Sequence, residues 1–200
     1  MASPLEGRTI LVTGSGRGIG SEVAKLAGSL GANVIVNDPG VNVDGTGTDD
    51  GPAAQIAKEI TDAGGNASAN FDTVATEEGG ENMIKQAVDT YGRIDGVVHV
   101  AGILRDRMIF NMTEEEWDLV LQVHLYGAFN MVRNVVPHMM ENRYGRIVLF
   151  SSGSGLGASG QGNYAAAKEG MVGFTRAIAK ELEPYNIMVN AVYPGGSTRM

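Results

Sequence analysis

The sequence predicts an α/β fold in which a doubly wound parallel sheet carries helices on both faces. Six short apolar runs alternate along the chain with longer segments of helical periodicity, which is the order expected of repeated strand–helix units. The apolar runs are nearly continuous, as is typical of strands that are covered on both faces. We therefore expect a sheet buried between two layers of helices.

Six strands are predicted from these runs. Their ranges are 9–12, 33–37, 67–71, 95–100, 145–150 and 187–192. Between them, apolar residues three and four positions apart indicate five helices. The helical ranges are 19–30, 52–63, 76–91, 113–140 and 163–183.

Local signals support several helix boundaries. Pro52 suits the first turn of the second helix, and Gly92 follows the end of the third. Thr113 and Glu116 have the spacing of a capping box at the start of the fourth. The longest irregular stretch, residues 38–51, is acidic and rich in glycine, and we expect it to be mobile.

Length and composition indicate one soluble domain over residues 1–200. Hydrophobic residues make up 43% of the chain and charged residues 19%, and no internal repeat or linker is present. The net charge of -8 argues against a nucleic-acid partner, because phosphate binding needs a basic face. With no cysteine, no secretory signal and no long apolar segment, we expect a cytoplasmic protein without a membrane partner or a metal site.

A glycine-rich turn follows the first strand. Residues 13–20 read TGSGRGIG and run directly into the first helix. Glycines allow a sharp turn and a close approach to a pyrophosphate, while the helix N-terminus supplies amide donors. This arrangement predicts a dinucleotide-binding Rossmann fold with the strand order 3-2-1-4-5-6. The expected cofactor-binding residues of the turn are Gly14, Ser15, Arg17, Gly18 and Ile19.

Two charged residues bear on which dinucleotide binds. Asp38 ends the second strand, at the distance from the turn where an acid accepts from the adenosine ribose hydroxyls. A carboxylate there repels a 2′-phosphate and selects NAD over NADP. Arg17 has a weaker opposite influence, because a base in this turn can meet a 2′-phosphate. We expect NAD, with NADP as the less favoured cofactor.

A second constellation follows the fifth strand. The strand leads to Ser151 and Ser152, and a glycine-rich loop then precedes Tyr164 and Lys168, which are four residues apart on one helical face. Tyrosine, with a usual pKa of about 10, is a poor base at neutral pH. We expect the Lys168 ammonium and an oxidised nicotinamide to lower the pKa of Tyr164, so that it can exchange a proton with a substrate hydroxyl.

The spacing TGxxxGxG and the set of serine, Tyr164 and Lys168 resemble the short-chain dehydrogenase/reductase family. The resemblance covers essentially the whole chain and is strongest to the (3R)-hydroxyacyl-CoA dehydrogenase part of peroxisomal multifunctional enzymes and their bacterial relatives. Segments 36–40 (VNDPG), 101–108 (AGILRDRM) and 123–129 (VHLYGAF) suggest that subgroup. It implies an oxidoreductase in which Lys168 also binds the nicotinamide ribose.

The resemblance also implies further cofactor contacts. Asp72 matches the family's aspartate that contacts adenine, although capping of a strand end is the alternative. The remaining residues expected near the cofactor are Thr73, His99, Ala101, Gly102, Pro194 and Gly195.

Two histidines depart from the family pattern. His99 replaces an asparagine in the turn after the fourth strand; its main chain can still meet the ribose, and its side chain is interpreted as structural. His124 stands where the family has a catalytic asparagine that holds a proton-relaying water. Either His124 binds such a water, or it is a buried and satisfied histidine between helices.

The position of the catalytic serine is open between two neighbours. Counting thirteen residues back from Tyr164 gives Ser151, whereas matching the pattern SSxSG from the strand gives Ser152. Strands hold their register better than glycine-rich loops hold their length, so we favour Ser152.

The family carries a substrate lid, a seventh strand and a last helix after the segment that matches Pro194 and Gly195. The sequence ends at Met200, so we expect a C-terminally shortened domain without them. The favoured function is NAD-dependent oxidation of a 3-hydroxyacyl-CoA or similar small-molecule secondary alcohol. A 3-oxoacyl-[acyl-carrier-protein] reductase and a non-catalytic NAD-binding subunit are the alternatives. The long helices from 113 and 163 are expected to pack against their copies in a homodimer or homotetramer.

Overall fold

The computed structural model describes residues 3–195, which form a six-stranded parallel sheet. The strands are β1 (Thr9–Thr13), β2 (Asn33–Asn37), β3 (Asn66–Asn70), β4 (Gly96–His99), β5 (Gly145–Phe150) and β6 (Ile187–Val192). Their order is β3-β2-β1-β4-β5-β6, and every neighbouring pair is parallel. The predicted doubly wound sheet and its strand order are confirmed.

Six α-helices lie on the two faces of this sheet. They are α1 (Gly18–Ser29), α2 (Gly51–Asp62), α3 (Glu77–Tyr91), α4 (Glu114–Leu121), α5 (Gly127–Asn142) and α6 (Gly162–Leu182). On one face, Val12 and Val34 pack with Ala24 of α1 and Ile56 of α2. On the other, the core includes side chains of α3, α5 and α6, among them Ile84, Met131 and Met171.

The prediction of a single helix over residues 113–140 was wrong in one respect. It begins with the predicted capping box, in which the Glu116 amide donates to Thr113 Oγ1 at 3.2 Å and the Thr113 amide donates to Glu116 Oε2 at 3.0 Å. The helix is then interrupted by a π-helical turn, Gln122–Tyr126, which separates α4 from α5. Apolar spacing continues through this turn, so the sequence pattern does not reveal it. His124 lies at its centre and is fully buried.

The irregular stretch after β2 forms a closed loop, residues 39–50, which we call the strap loop. Its two ends meet where the Asp49 amide donates to the Pro39 carbonyl at 3.3 Å. Gly40 at this point has φ +69°, and a Cβ there would lie 1.8 Å from the Asp49 carbonyl oxygen, so the contact requires glycine. Near the tip, the Leu104 amide donates to the Val43 carbonyl at 2.8 Å. The loop is irregular, as predicted, but it spans from the end of β2 to the segment after β4.

A buried carboxylate supports the amino end of the sheet. Asp95, 2% exposed, precedes β4 and accepts hydrogen bonds from Arg8 at 2.8 Å, from Arg93 at 2.6 and 2.7 Å, and from the Thr9 amide at 3.0 Å. Burial acts to raise the pKa of Asp95, but the hydrogen bonds from Arg93, Thr9 and Arg8 outweigh it and hold the pKa below its usual value. This carboxylate therefore ties β1 to β4 at the end of the sheet opposite the strand C-termini.

We expect Asp95→Asn to lower the free energy of unfolding by about 3 kcal/mol, because it leaves two guanidinium groups without their buried partner. Asp89→Asn is the matched control, since Asp89 pairs with Lys85 on the exposed face of α3 and should cost at most about 1 kcal/mol. Urea unfolding of both variants at neutral pH measures the difference. Equal midpoints would show that the buried pair contributes no more than a surface one.

Candidate active site

A cleft opens at the carboxyl ends of the central strands, where the strand order reverses between β1 and β4. In parallel α/β sheets this is the point at which ligands bind. The cleft is lined by the β1–α1 turn, the end of β2, the strap loop, and the segments after β3 and β4. The lining residues include Gly14, Arg17, Gly18, Ile19, Asp38, Val41, Gly45, Thr73, Ala101, Gly102 and Ile103.

Close backbone contacts shape the glycine-rich turn. Gly14 has φ +64°, and a Cβ there would lie 2.6 Å from the Ala101 Cα, so this residue packs directly on the segment after β4. A Cβ on Gly20 would lie 2.2 Å from the Gly14 carbonyl oxygen. These contacts bring the first turn of α1 over the end of β1, and any side chain at either position would open the turn.

The N-terminus of α1 suits an anionic ligand. Its N-cap, Arg17, makes no capping hydrogen bond, and its first turn holds no acidic residue. By contrast, Thr76 and Thr113 cap α3 and α4, and both of those helices carry glutamates in their first turn. The uncapped amides and positive dipole end of α1 face the cleft, so these residues fit the pyrophosphate of a dinucleotide.

Asp38 is held in a fixed orientation at the edge of the cleft. It is 7% exposed, and its two carboxylate oxygens accept from the Gly16 amide at 2.9 Å and from the Gly40 amide at 2.7 Å. Each oxygen keeps a further lone pair. The carboxylate therefore braces the glycine-rich turn and still presents acceptors to the cleft.

Four other predicted cofactor residues are not among the described residues that line the cleft. The Ser15 hydroxyl donates to the Val12 carbonyl at 2.7 Å and is fully buried. The Asp72 carboxylate accepts from Asn70 and Asn82, which matches the strand-end alternative, while neighbouring Thr73 lines the cleft. Pro194 and Gly195 come two and three residues after the end of β6 and are not among the residues that line the cleft.

His99 lies behind the cleft rather than in it. The ring is 1% exposed; Nδ1 lies 2.9 Å from Thr13 Oγ1, and Nε2 lies 3.3 Å from the His124 carbonyl. Thr13 Oγ1 in turn accepts from the Ala101 amide at 3.3 Å. Burial, assisted by the charge of Lys168, lowers the pKa of His99 to about 3, so the ring is neutral. Its side chain holds the turn after β4, as the structural interpretation expects.

The two serines after β5 have different surroundings. Ser151 is 2% exposed and donates from Oγ to the Lys168 carbonyl at 2.9 Å, which ties β5 to α6. Ser152 is half-buried and begins a short 3₁₀ turn, Gly153–Leu156. A side-chain hydrogen bond from Ser152 acts to lower the pKa of the Tyr164 phenol, whereas the Ser151 hydroxyl is engaged with the backbone of α6. This difference favours Ser152 as the serine beside the tyrosine.

The pKa of Tyr164 differs from the expectation. Burial raises it above the usual value, more than the hydrogen bond from Ser152 lowers it. The expected lowering of the Tyr164 pKa by Lys168 is not seen in the chain alone. Lys168 Nζ lies 5.5 Å from the centroid of the tyrosine ring, and Lys168 is itself deeply buried.

Lys168 lies in the interior with one polar contact. It is 3% exposed, and Nζ donates to the Phe150 carbonyl at 2.5 Å. Burial lowers the pKa of Lys168 to about 7, because the ammonium loses its hydration. The lysine is therefore only partly charged at neutral pH, which limits its effect on the phenol.

His124 packs edge-on against Tyr164, with ring centroids 5.0 Å apart and an interplanar angle of 88°. Its Nε2 lies 2.9 Å from the Ile103 carbonyl and 3.1 Å from the Ile103 amide. A Cβ on Gly102 would lie 2.2 Å from His124 Cε1, so the glycine admits the ring. Burial lowers the pKa of His124 well below its usual value. The ring is neutral and positions both the segment after β4 and the tyrosine, while Nδ1 has no protein partner.

Sequence reasoning missed Asn163, which anchors the start of α6. Its Nδ2 donates to the Arg105 carbonyl at 3.0 Å and to the Glu116 carbonyl at 2.9 Å, and its Oδ1 accepts from the Tyr164 amide at 2.8 Å. An asparagine at a helix start, directly before the tyrosine, was the available signal. It also missed Val41 and Gly45 of the strap loop as part of the cleft wall.

Two features of residues 3–195 bear on other classes of function. No helix there is both long and apolar enough to cross a bilayer. Within the same residues, no group of three or more histidine, aspartate or glutamate side chains is arranged to hold a metal ion.

Comparisons with known proteins agree with this geometry. The family model described as short chain dehydrogenase matches residues 8–200. A short-chain type dehydrogenase/reductase of Mycobacterium tuberculosis is 49% identical over 98% of this chain and 69% of its own length. The peroxisomal multifunctional enzyme type 2 of Mus musculus is 45% identical over the whole chain, which spans 27% of that protein.

A solved structure shows the same fold. The crystal structure of a short chain dehydrogenase from Mycobacterium avium superposes with a TM-score of 0.89 at 42% identity, covering 96% of this chain and 71% of that one. The chain belongs to the short-chain dehydrogenase family, oxidoreductases that bind a nicotinamide dinucleotide and act on CH–OH groups.

Proposed function

We propose that this protein is an NAD-dependent dehydrogenase that acts on a secondary alcohol or its ketone, with a 3-hydroxyacyl-CoA thioester as the substrate class. The observation that carries the proposal is that Tyr164, with Ser152 acting on its phenol and Lys168 Nζ 5.5 Å from its ring centroid, packs with Ile103, which lines a cleft suited to a dinucleotide. The likeness to the multifunctional enzyme type 2 supports the substrate class.

The proton chemistry is assigned to this chain's own residues. When bound, a nicotinamide would exchange a hydride with the carbinol carbon of the substrate. Ser152 would hydrogen-bond the substrate oxygen, and Tyr164 would give it a proton during reduction or take one during oxidation. Burial raises the pKa of Tyr164, so the phenol is protonated at neutral pH and ready to donate. A positive charge placed beside the ring would lower that pKa and favour the oxidative direction.

Lys168 and Asp38 are assigned to cofactor binding. Lys168 Nζ, held by the Phe150 carbonyl, would donate to the ribose hydroxyls on the nicotinamide side. The free acceptor capacity of Asp38 would bind the hydroxyls of the adenosine ribose, which supports NAD over NADP.

We expect Tyr164→Phe to lower kcat by about 10²–10⁴, the usual contribution of a positioned acid or base, while the Kd for NAD stays within about twofold. Tyr185→Phe is the matched control, because Tyr185 precedes the amino end of β6, away from the site. Formation of reduced cofactor is followed with a panel of 3-hydroxyacyl-CoA esters. Turnover retained by Tyr164→Phe would contradict the assignment. A preference for NADPH and 3-oxoacyl carrier-protein substrates would point to the reductase alternative.

The stability of the chain should depend on pH through Lys168. Its pKa is about 7 in the folded chain and 10.5 when unfolded, so between these values the unfolded chain binds more protons. Stability therefore rises with pH across this window, by up to about 1.4 kcal/mol per unit for one such group. Lys168→Met should remove this slope, and Lys180→Met, on the exposed last turn of α6, should leave it. Urea midpoints at pH 7.5 and 9.5 test this; equal slopes in all three proteins would refute it.

We also propose that the protein acts in the cytoplasm.

We propose further that two copies of the chain associate through α5 and α6. Between these helices lies an apolar groove lined by Val132, Val136, Phe174 and Ile178, and Phe129 beside it is 49% exposed. Burial of such a groove by a second copy would stabilise a dimer. We expect Phe129→Glu to reduce the mass measured by light scattering from a multiple of 21.0 kDa to that of one chain. An unaltered protein that scatters as a single chain would contradict the proposal.

A further inference from the structure

Arg17 is the residue of the cleft that the proposed function leaves unexplained. It lies in the glycine-rich turn, its side chain is 38% exposed, and it lines the cleft beside Asp38. A guanidinium in this position suits a 2′-phosphate, which is the group that distinguishes NADP from NAD. Asp38 favours the opposite choice, so the two side chains conflict.

The structure supplies a partner for this cation from the strap loop. Asp49 Oδ2 lies 3.7 Å from Arg17 Nη2. The other oxygen, Oδ1, accepts from the Gly51 amide at 2.9 Å, which orients the carboxylate at the start of α2. Arg17 thus faces a second acidic residue, Asp49, which is separated from Asp38 in the sequence by most of the strap loop.

The contacts between the two ends of the strap loop hold Asp49 close to Asp38. The Asp49 amide donates to the Pro39 carbonyl, and the Asp49 carbonyl packs on Gly40 at a distance that excludes a side chain. The Gly40 amide in turn donates to Asp38 Oδ1 at 2.7 Å. Asp38 and Asp49 are therefore held as neighbours, with Arg17 beside them.

We propose that Asp49 is a second specificity-determining residue, which pairs with Arg17 and keeps its charge from a 2′-phosphate, so that a dinucleotide carrying that group is disfavoured. This inference rests on the proposed dinucleotide site. An exposed ion pair contributes little to stability, about 0–1 kcal/mol, so the pair itself is weak. Its effect on binding comes from neutralising the charge that Arg17 would otherwise present to a 2′-phosphate.

The test measures the Kd of NAD⁺ and of NADP⁺ by isothermal titration calorimetry on the 200-residue chain. Asp49→Asn keeps an oxygen for the Gly51 amide and removes only the charge. Because one unit charge at about 4 Å in water is worth about 1 kcal/mol, NADP⁺ should bind about fivefold more tightly to Asp49→Asn. The Kd for NAD⁺ should stay within about twofold, since NAD⁺ carries no 2′-phosphate.

Asp50→Asn is the matched control. Asp50 is the adjacent exposed acid; it has the same charge and makes no side-chain capping bond to α2. This variant should leave both Kd values unchanged. In the double variant Arg17→Gln with Asp49→Asn, the gain for NADP⁺ should disappear, because the cation that Asp49 neutralises is gone. Melting temperatures without ligand should match, since Asp49 and Asp50 are exposed and Arg17 takes part only in a weak, partly exposed ion pair.

Each outcome decides the proposal. If NAD⁺ binds and Asp49→Asn leaves the Kd of NADP⁺ unchanged, the proposal is overturned while the dinucleotide site stands. The same holds if Asp50→Asn gives an equal gain, or if the gain persists without Arg17, because the effect would then come from net charge. If neither dinucleotide binds to the unaltered chain, this inference and the proposed function fall together.

Discussion

The direct backbone contact between Gly14 and Ala101 is the constraint on which the rest of the cleft depends. It sets the glycine-rich turn against the segment after β4, and it can form only if neither residue carries a bulky side chain at that point. The turn then brings the uncapped start of α1 to the pyrophosphate position and leaves the Gly16 amide to bind Asp38. On the other side of the contact, Gly102 makes room for His124, which packs against Tyr164. One contact thus links the glycine-rich turn to the surroundings of Tyr164.

Most of the fold could be predicted from the sequence, because parallel strands that are covered on both faces are nearly continuous runs of apolar residues. The bounds of β2, β5 and β6 agree with the predicted ranges. The π-helical turn at Gln122–Tyr126 could not be predicted in this way. The apolar spacing continues through it, and the burial of His124 at its centre, against Gly102, depends on tertiary contacts that local spacing does not show.

The site was predicted less completely than the fold, because local sequence patterns do not show how deeply a side chain is buried or which residue distant in the sequence it meets. Residue types and spacing identify Tyr164 and Lys168, but they do not show how deeply the two side chains are buried. In the chain alone, burial raises the pKa of Tyr164, whereas the expected lowering also included the charge of an oxidised nicotinamide. Residue types and spacing also do not distinguish the environments of Ser151 and Ser152, which face a helix backbone and a phenol respectively. The pairing of Arg17 with Asp49 depends on where a long loop returns, and local spacing carries no information about that.

The burial of His99 and His124 has a consequence for the protein in acid. Both rings are neutral in the folded chain, because burial lowers their pKa values far below that of a histidine in an unfolded chain. Below about pH 6.5 the unfolded chain therefore binds more protons than the folded chain, and stability falls. The two rings lie behind the cleft and against the tyrosine, in the part of the molecule that chemistry requires to be dry. Acidification therefore favours the unfolded chain, because the two rings can take up protons only when the chain unfolds. These two rings, which position the segment after β4 and Tyr164, thus couple the stability of the fold to pH.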